Sequence, residues 1–217
     1  MSAISSIEWT DRTWNPVRGC SIKSPGCHNC YAMKNGHRMS GVGKPYEGLT
    51  KLTAAGPQWT GKIRTVDRAL GEPQRWKEPA RIFVNSMSDL FHEGVPEEFI
   101  AEVWRTMHTI RRHTYQVLTK RAERMASLLP RLVSTFGVLP NVWLGVSCED
   151  QQRADERIPY LTETPAAVRF VSAEPLLGPI DFHSPVLEAD SVDTIDWVIV
   201  GGESGHKARP CNVGWAQ

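Results

Sequence analysis

From residue 81 onward the apolar and polar positions repeat one form. A short apolar run rich in β-branched residues ends in polar residues, and a helical pattern follows. Ile82-Phe83-Val84 leads into Asn85-Ser86-Met87-Ser88-Asp89, and Tyr115-Gln116-Val117-Leu118 into Thr119-Lys120-Arg121. Val142-Trp143-Leu144-Gly145-Val146 leads into Ser147-Cys148-Glu149-Asp150. Val168-Arg169-Phe170-Val171 leads into Ser172-Ala173-Glu174-Pro175, and Trp197-Val198-Ile199-Val200 into Gly201-Gly202-Glu203-Ser204. The runs begin 33, 27, 26 and 29 residues apart, a spacing that suits successive strand–helix units. Between them, residues 96–113 place Phe99, Ile100, Val103, Trp104, Met107 and Ile110 on one helical face, with Pro96 near the first turn. Residues 121–133 group Met125, Leu128, Leu129 and Leu132. Asp150 suits the cap of a helix that buries Ala154, Ile158 and Leu161.

Continuous apolar strands alternating with amphipathic helices predict a parallel sheet covered by helices. One further strand is expected within residues 7–17, which are rich in Trp and Thr and end in Asn-Pro. The prediction is one α/β domain over residues 1–217, a partial parallel (β/α) barrel of about six strands. Residues 31–39 suit a short helix. Residues 40–80 are dense in Gly and Pro and read as a long irregular insertion, with a short hairpin around Trp59-Thr60-Gly61-Lys62-Ile63. Residues 176–196 read as loop. Parallel barrels bind ligands at the carboxyl ends of their strands. The topology therefore sends Cys20, Cys27, Cys30, Ser86, Asp89, Lys120, Glu149, Glu174 and Glu203 to one face.

Charge adds little at the level of the whole chain. The 217 residues carry a formal net charge of +1, which gives no overall basic field to draw nucleic acid. Arg111-Arg112-His113 and Lys120-Arg121 read as a solvated helix end and the mouth of the next strand. The first six residues lack a signal pattern, no apolar run spans a membrane, and a cytoplasmic protein is expected. In a reducing compartment clustered cysteines read as metal ligands or redox groups before disulfides, and an odd total of 5 argues the same way.

Three of those five cysteines lie in the stretch Gly19-Cys20-Ser21-Ile22-Lys23-Ser24-Pro25-Gly26-Cys27-His28-Asn29-Cys30-Tyr31. A Cys-x-x-Cys pair can put two sulfurs on one metal centre, and Pro25-Gly26 supplies the turn that returns Cys27 toward Cys20. Two readings stand. One is an iron–sulfur cluster with an open coordination position; the other is a structural zinc with His28 or His37 as fourth ligand, in a non-enzymatic binding module. Cys148 and Cys211 are isolated and read as small buried or half-buried residues. Glu174 and Glu203 sit at strand termini beside glycines, where a carboxylate can meet a ligand amine or ribose hydroxyl. Their other reading is a salt bridge to Lys120 or Arg121 across the mouth. Asp89 and His92 read as ligand-orienting groups, or as a turn cap with an exposed histidine. Trp9, Trp14 and Trp59 are core or rim residues, or bases' stacking partners.

The cysteine loop after a first strand of such a barrel resembles the radical S-adenosylmethionine superfamily. The chain departs from that superfamily's spacing, with six residues in the first gap and Asn29 before the last cysteine. It is more similar to a phage- and prophage-associated three-cysteine-motif family. That resemblance is carried by Ile7-Glu8-Trp9-Thr10-Asp11 with Trp14-Asn15-Pro16, Gly19-Cys20 with Cys27-x-x-Cys30-Tyr31-Ala32, and Phe83-Val84-Asn85-Ser86-Met87-Ser88-Asp89-Leu90-Phe91-His92. Leu144-Gly145-Val146-Ser147, Ser172-Ala173-Glu174-Pro175-Leu176-Leu177-Gly178 and Gly201-Gly202-Glu203-Ser204-Gly205 complete it. The resemblance implies a [4Fe–4S] cluster on Cys20, Cys27 and Cys30. It implies S-adenosylmethionine as cofactor, cleaved reductively to methionine and a 5′-deoxyadenosyl radical. Ser86, Glu149, Glu174 and Glu203 become the candidates to hold that cofactor. A partner protein encoded nearby and a nucleic acid or nucleotide substrate fit a phage setting. The resemblance also implies that the chain stops short of a further helix and an aromatic-rich strand.

Overall fold

The computed structural model describes residues 5–184, 186–187, 194–204 and 207–216. In chain order the elements are β1 (Arg12–Trp14), β2 (Val17–Arg18), α1 (Tyr31–Arg38), β3 (Thr50–Thr53), β4 (Gly56–Trp59) and β5 (Arg64–Thr65). They continue with α2 (Glu72–Arg75), β6 (Arg81–Val84), α3 (Glu97–Thr109), β7 (Thr114–Thr119) and α4 (Ala122–Phe136). The last are β8 (Val142–Ser147), α5 (Gln151–Glu163), β9 (Val168–Ala173) and β10 (Trp197–Val200). Asp150 caps α5 as expected, its side chain accepting from the Arg153 amide.

Six strands form one parallel sheet in the order β1-β6-β7-β8-β9-β10. This is the expected partial barrel. Side chains alternate across it. Ile82, Val84, Tyr115, Val117, Val142, Leu144 and Val146 join the main core with residues of α3, α4 and α5, such as Val103, Met125 and Ile158. The opposite face carries Phe83, Gln116, Trp143, Gly145, Phe170 and Trp197, linked by register as Phe83↔Gln116, Gln116↔Trp143, Gly145↔Phe170 and Phe170↔Trp197. Gly145 is required there, because a Cβ would lie 2.5 Å from the Phe170 ring.

Trp9 bridges this inner face. Its ring lies 4.7 Å from Phe83 on β6 and 6.3 Å from Trp197 on β10. It is a wedge between distant strands of an open sheet. Trp14 and Trp59 are buried, and Trp14 donates to the Ala69 carbonyl at 2.7 Å, so neither offers a face for stacking a base.

The insertion departs from expectation. Its hairpin is β3–β4, one strand earlier than predicted, with Gly56 at φ +105° opening β4 directly after the turn. The expected hairpin begins at Trp59, but Trp59 ends β4 and anchors a second small core with Ala32, Met33, Tyr46 and Leu49. Gly36 on α1 makes room for it; a Cβ there would lie 2.8 Å from the indole. Residues 40–65 are thus a packed lobe on α1. The Arg111-Arg112-His113 reading also changes. Arg112 donates to the Trp76 and Gln74 carbonyls at 2.9 and 2.8 Å, and His113 is buried with Nε2 3.0 Å from the Pro73 carbonyl. They fasten the segment around α2. Pro185 and residues 188–193 of the expected loop lie outside the described residues. No helix among the described residues is long and apolar enough to cross a membrane.

Candidate functional site

The cysteine loop leaves β2 at Gly19, whose φ of +87° and whose approach to Lys62 both exclude a side chain; a Cβ would lie 2.2 Å from the Lys62 carbonyl oxygen. Gly19 bridges in parallel to Ser88, just beyond β6, and Ser88 Oγ donates to the Val17 carbonyl at 2.8 Å. Cys20 is thereby set at the carboxyl edge of the sheet. Pro25–Cys27 makes a single 3-10 turn, and Cys30 immediately precedes α1. All three thiols are free and half-buried. Burial pushes the Cys20 thiol up to about 12, with Asp89 adding and Arg121 opposing. Burial also raises Cys30, against the backbone amides of Ala32 and Met33. Such thiols ionise only with a compensating cation or metal.

Two of the predicted carboxylates hold this loop. Glu149, at 0% exposure, accepts from the Gly26 amide at 3.2 Å, from Lys120 Nζ at 3.3 Å and from Arg157 at 3.1 Å. Burial alone would raise its pKa, but Lys120 and Arg157 hold it at about 2. A Cβ on Gly26 would press on that carboxylate at 3.1 Å, so the glycine permits the grip. Glu203 accepts from Asn29 Nδ2 at 2.7 Å and from Arg209 through its backbone amide and Nε at 2.9 and 3.1 Å. Arg209 donates onward to the Pro25 carbonyl at 3.0 Å. The bonds from Arg209 hold Glu203 at about 2. The segment after β10 is therefore strapped across residues 25–29. In this structure both carboxylates are engaged by protein donors.

Glu174 differs. It ends β9 on the inner side, half-buried, and its partner is the Trp9 indole N–H at 3.4 Å. Among the described residues it forms no ion pair: Lys120 goes to Glu149, and Arg121 to Asp89 and Glu93. Burial raises its pKa, the indole opposes this, and Glu8 adds to it. Gly201 gives it room, since a Cβ would lie 2.2 Å from Oε1. Tyr31, beside Cys30, donates to the Ser86 carbonyl at 2.5 Å. Burial raises the Tyr31 pKa, and the charges of Cys30 and Glu174 add to it. The Ser86 hydroxyl is tied to Asn15 at 3.2 Å.

Sequence reasoning missed a network behind Cys20. Asp89 accepts from Thr119 Oγ1 at 2.7 Å, from the Phe91 and Lys120 amides at 3.0 and 3.1 Å, and from Arg121 at 3.0 Å. Arg121 also donates to Ser21 Oγ at 2.8 Å, and His92 Nε2 lies 2.9 Å from the same oxygen. The Gly94 amide donates to His92 Nδ1 at 3.0 Å, so a neutral ring carries its proton on Nε2 and donates to Ser21. Burial and Arg121 lower the His92 pKa. The expectation of an exposed His92 is corrected: it is 6% exposed. Only the adjacent polar run after β6 could have signalled this. Cys148 is buried as expected, whereas Cys211 is exposed, contrary to expectation.

His37, one candidate fourth zinc ligand, is engaged at Nδ1 by Thr50 Oγ1 of the hairpin at 3.2 Å. His28 is exposed. Among the described residues no three His, Cys, Asp or Glu side chains converge on a single ion. The donor set is three thiols on one anchored loop, and among the described residues no His, Asp or Glu completes a metal-holding set with them. It fits a group whose ligands attach to separate irons and leave one iron open.

Fold and loop define a class: a partial parallel barrel of radical-S-adenosylmethionine-like form, with three cysteines on its first loop. The chain belongs to the family described as "Protein of unknown function (DUF5131)", whose profile it matches over residues 4–217. A comparison with curated proteins gives no match. Among solved structures it is similar in fold to spore photoproduct lyase complexed with dinucleoside spore photoproduct, at TM-score 0.52 and 14% identity, covering 81% of this chain and 48% of that one. A doubly substituted form of that lyase, with bound AdoMet and the same dinucleoside, gives TM-score 0.53 at 14% identity and the same 81% and 48% coverage. The chain spans about half the length of these structures.

Proposed function

We propose that the protein is an iron–sulfur protein of radical S-adenosylmethionine type, with Cys20, Cys27 and Cys30 holding a [4Fe–4S] cluster. The observation that carries this is the position of three free thiols on the loop after β2, which the Gly19–Ser88 bridge sets at the carboxyl edge of a parallel partial barrel. The similarity in fold to a lyase solved with bound AdoMet supports it. When bound, such a cluster supplies the electron for reductive cleavage of S-adenosylmethionine. Glu149 and Glu203 act as positioning residues that fix the loop at Gly26 and Asn29. Glu174, half-buried and without an ion-pair partner among the described residues, receives a hydrogen-bond-donating group of the cofactor or substrate at the mouth. The phage or prophage setting implied by the resemblance belongs to the same proposal.

The test is metal content after anaerobic purification. Brown protein with about four irons per chain is expected. Colourless protein with one zinc per chain overturns the reading. If iron binds, reduction in the presence of S-adenosylmethionine should release 5′-deoxyadenosine, and replacement of all three cysteines by Ala should abolish both iron binding and release.

A further inference from the structure

Charge is segregated along this chain in a way its total conceals. Residues 18–64 hold eight Lys and Arg and a single acid, Glu47. Eight minus one is +7 on a chain whose sum is +1, so the remaining residues sum to −6. Among the described residues none of these eight cations meets a carboxylate at ion-pair distance, whereas Arg81, Arg105, Arg131 and Arg209 elsewhere do. Glu47 does not neutralise them; its carboxylate accepts from the Gly43 amide at 2.9 Å.

The fold gathers the charge beside the cysteine loop. β2 and β5 pair antiparallel with Arg18 directly opposite Arg64. Both guanidiniums reach the Pro45 carbonyl, at 3.5 and 3.2 Å, and Arg18 lies 5.7 Å over the Tyr46 ring. Like charges facing each other across an antiparallel pair cost stability. Lys44 precedes Pro45 and is exposed, and the Lys62 carbonyl abuts Gly19, next to Cys20. On α1, Lys34 and Arg38 are four residues apart and share a face. The lobe is joined to the site: Cys20, Cys30 and Met87 pack against its small core of Ala32, Met33, Tyr46, Leu49 and Trp59.

We propose that this lobe is a phosphate-binding surface and that the substrate is a nucleic-acid strand. Its backbone lies over Arg18, Lys44, Lys62 and Arg64, and one nucleotide reaches the mouth at Glu174. Uncompensated cations repel one another in the free protein and bind a polyanion strongly, because each phosphate contact releases a counterion. A strand can run from the lobe to the cysteine loop, because Cys20 and Cys30 pack against the lobe's own small core. Val42 and Leu52 are exposed on the lobe, so an anionic membrane is the alternative the test must address. The inference deepens the function proposed above by naming its substrate class. Its test requires neither iron nor S-adenosylmethionine, so the two proposals fail separately.

The experiment is fluorescence anisotropy of the full chain with labelled single-stranded DNA, RNA and duplex of about 20 nucleotides, over a salt series from about 50 to 200 mM. Binding at low salt is expected, weakening linearly in log–log form by somewhat under one decade per decade of salt for each phosphate contacted. The double variant Lys44→Glu/Lys62→Glu, whose ammonium groups make no hydrogen bonds among the described residues, should bind at least about tenfold more weakly and show a slope shallower by about two. Adding Arg64→Glu should weaken binding further. The triple variant Arg105→Glu/Arg111→Glu/Arg131→Glu on the helical layer should stay within about twofold of the parent. Absence of nucleic-acid binding at the lowest salt overturns the proposal. So do equal losses in both variant sets, and so does capture by phosphatidylserine vesicles without nucleic-acid binding.

Discussion

Asn29 donates its side-chain amide to Glu203 at 2.7 Å, across 174 residues of chain. The bond joins the turn between the second and third cysteines to the segment that follows the last strand. With Glu149 on the Gly26 amide, it places carboxylates from β8 and from beyond β10 on two points of one short turn. A loop of this size has few contacts of its own, and these grips give it a fixed shape before any metal arrives.

Replacing Glu203 with Gln should leave Arg209 without its counter-charge and cost about 1–3 kcal/mol in urea unfolding. Hydrogen exchange in residues 25–30 of the metal-free protein should speed up. Glu203 titrates at about 2 in the folded chain against an ordinary 4.5. Its pKa is depressed on folding, so its stabilisation is complete above about 4.5 and is lost as pH falls toward about 2. The Gln variant should lack that part of the acid dependence. Unchanged exchange at residues 25–30 in the variant would remove the strap from the account.

Glu149→Ala should be more damaging, because it leaves the largely buried Lys120 and Arg157 with no carboxylate. Breaking a buried pair on one side costs about 3–5 kcal/mol. Glu149→Gln retains an acceptor for Gly26 and should fall between Ala and the parent in urea midpoint. A Gln variant as weak as Ala would assign the effect to charge alone and remove the Gly26 contact from the explanation.

Glu174 should behave in the opposite sense. Its folded pKa is raised by burial, so the carboxylate form is disfavoured and stability falls as pH rises through the window just above 4.5. Glu174→Gln should therefore unfold at the same or a higher urea concentration at neutral pH, while equilibrium dialysis shows weakened S-adenosylmethionine binding. Intact binding in that variant would remove Glu174 from the cofactor's partners.

Gly19→Ala tests the geometry that carries the chain from β2 into the cysteine loop. The new Cβ meets a backbone oxygen at 2.2 Å in a left-handed conformation, and neither neighbour can swing away. A loss of about 1–3 kcal/mol is expected, with reduced iron uptake on anaerobic reconstitution. Gly43→Ala is the control for positive φ alone, since its Cβ would meet nothing within 4 Å.

Much of this protein was legible in one dimension. The strands appear at the predicted runs, β10 at Trp197–Val200 without adjustment; the inner strands are apolar because both their faces are covered, whereas β10 is an edge strand that leaves Val198 and Val200 exposed. The helices follow from their 3.6-residue stripes, the α5 cap from Asp150, and the position of the three cysteines from the rule that parallel strands send their polar tails to one edge. Tertiary structure alone decided the partners of those tails. Four acidic residues at strand ends look alike in sequence. Glu149 and Glu203 pair with cations and grip the cysteine loop, Asp89 pairs with Arg121 behind it, and Glu174 alone of the four keeps no cation among the described residues. The same holds for charge. A net of +1 is a sum over the sequence, whereas electrostatic attraction depends on distance, and only folding brings Arg18 opposite Arg64 and both beside Pro45.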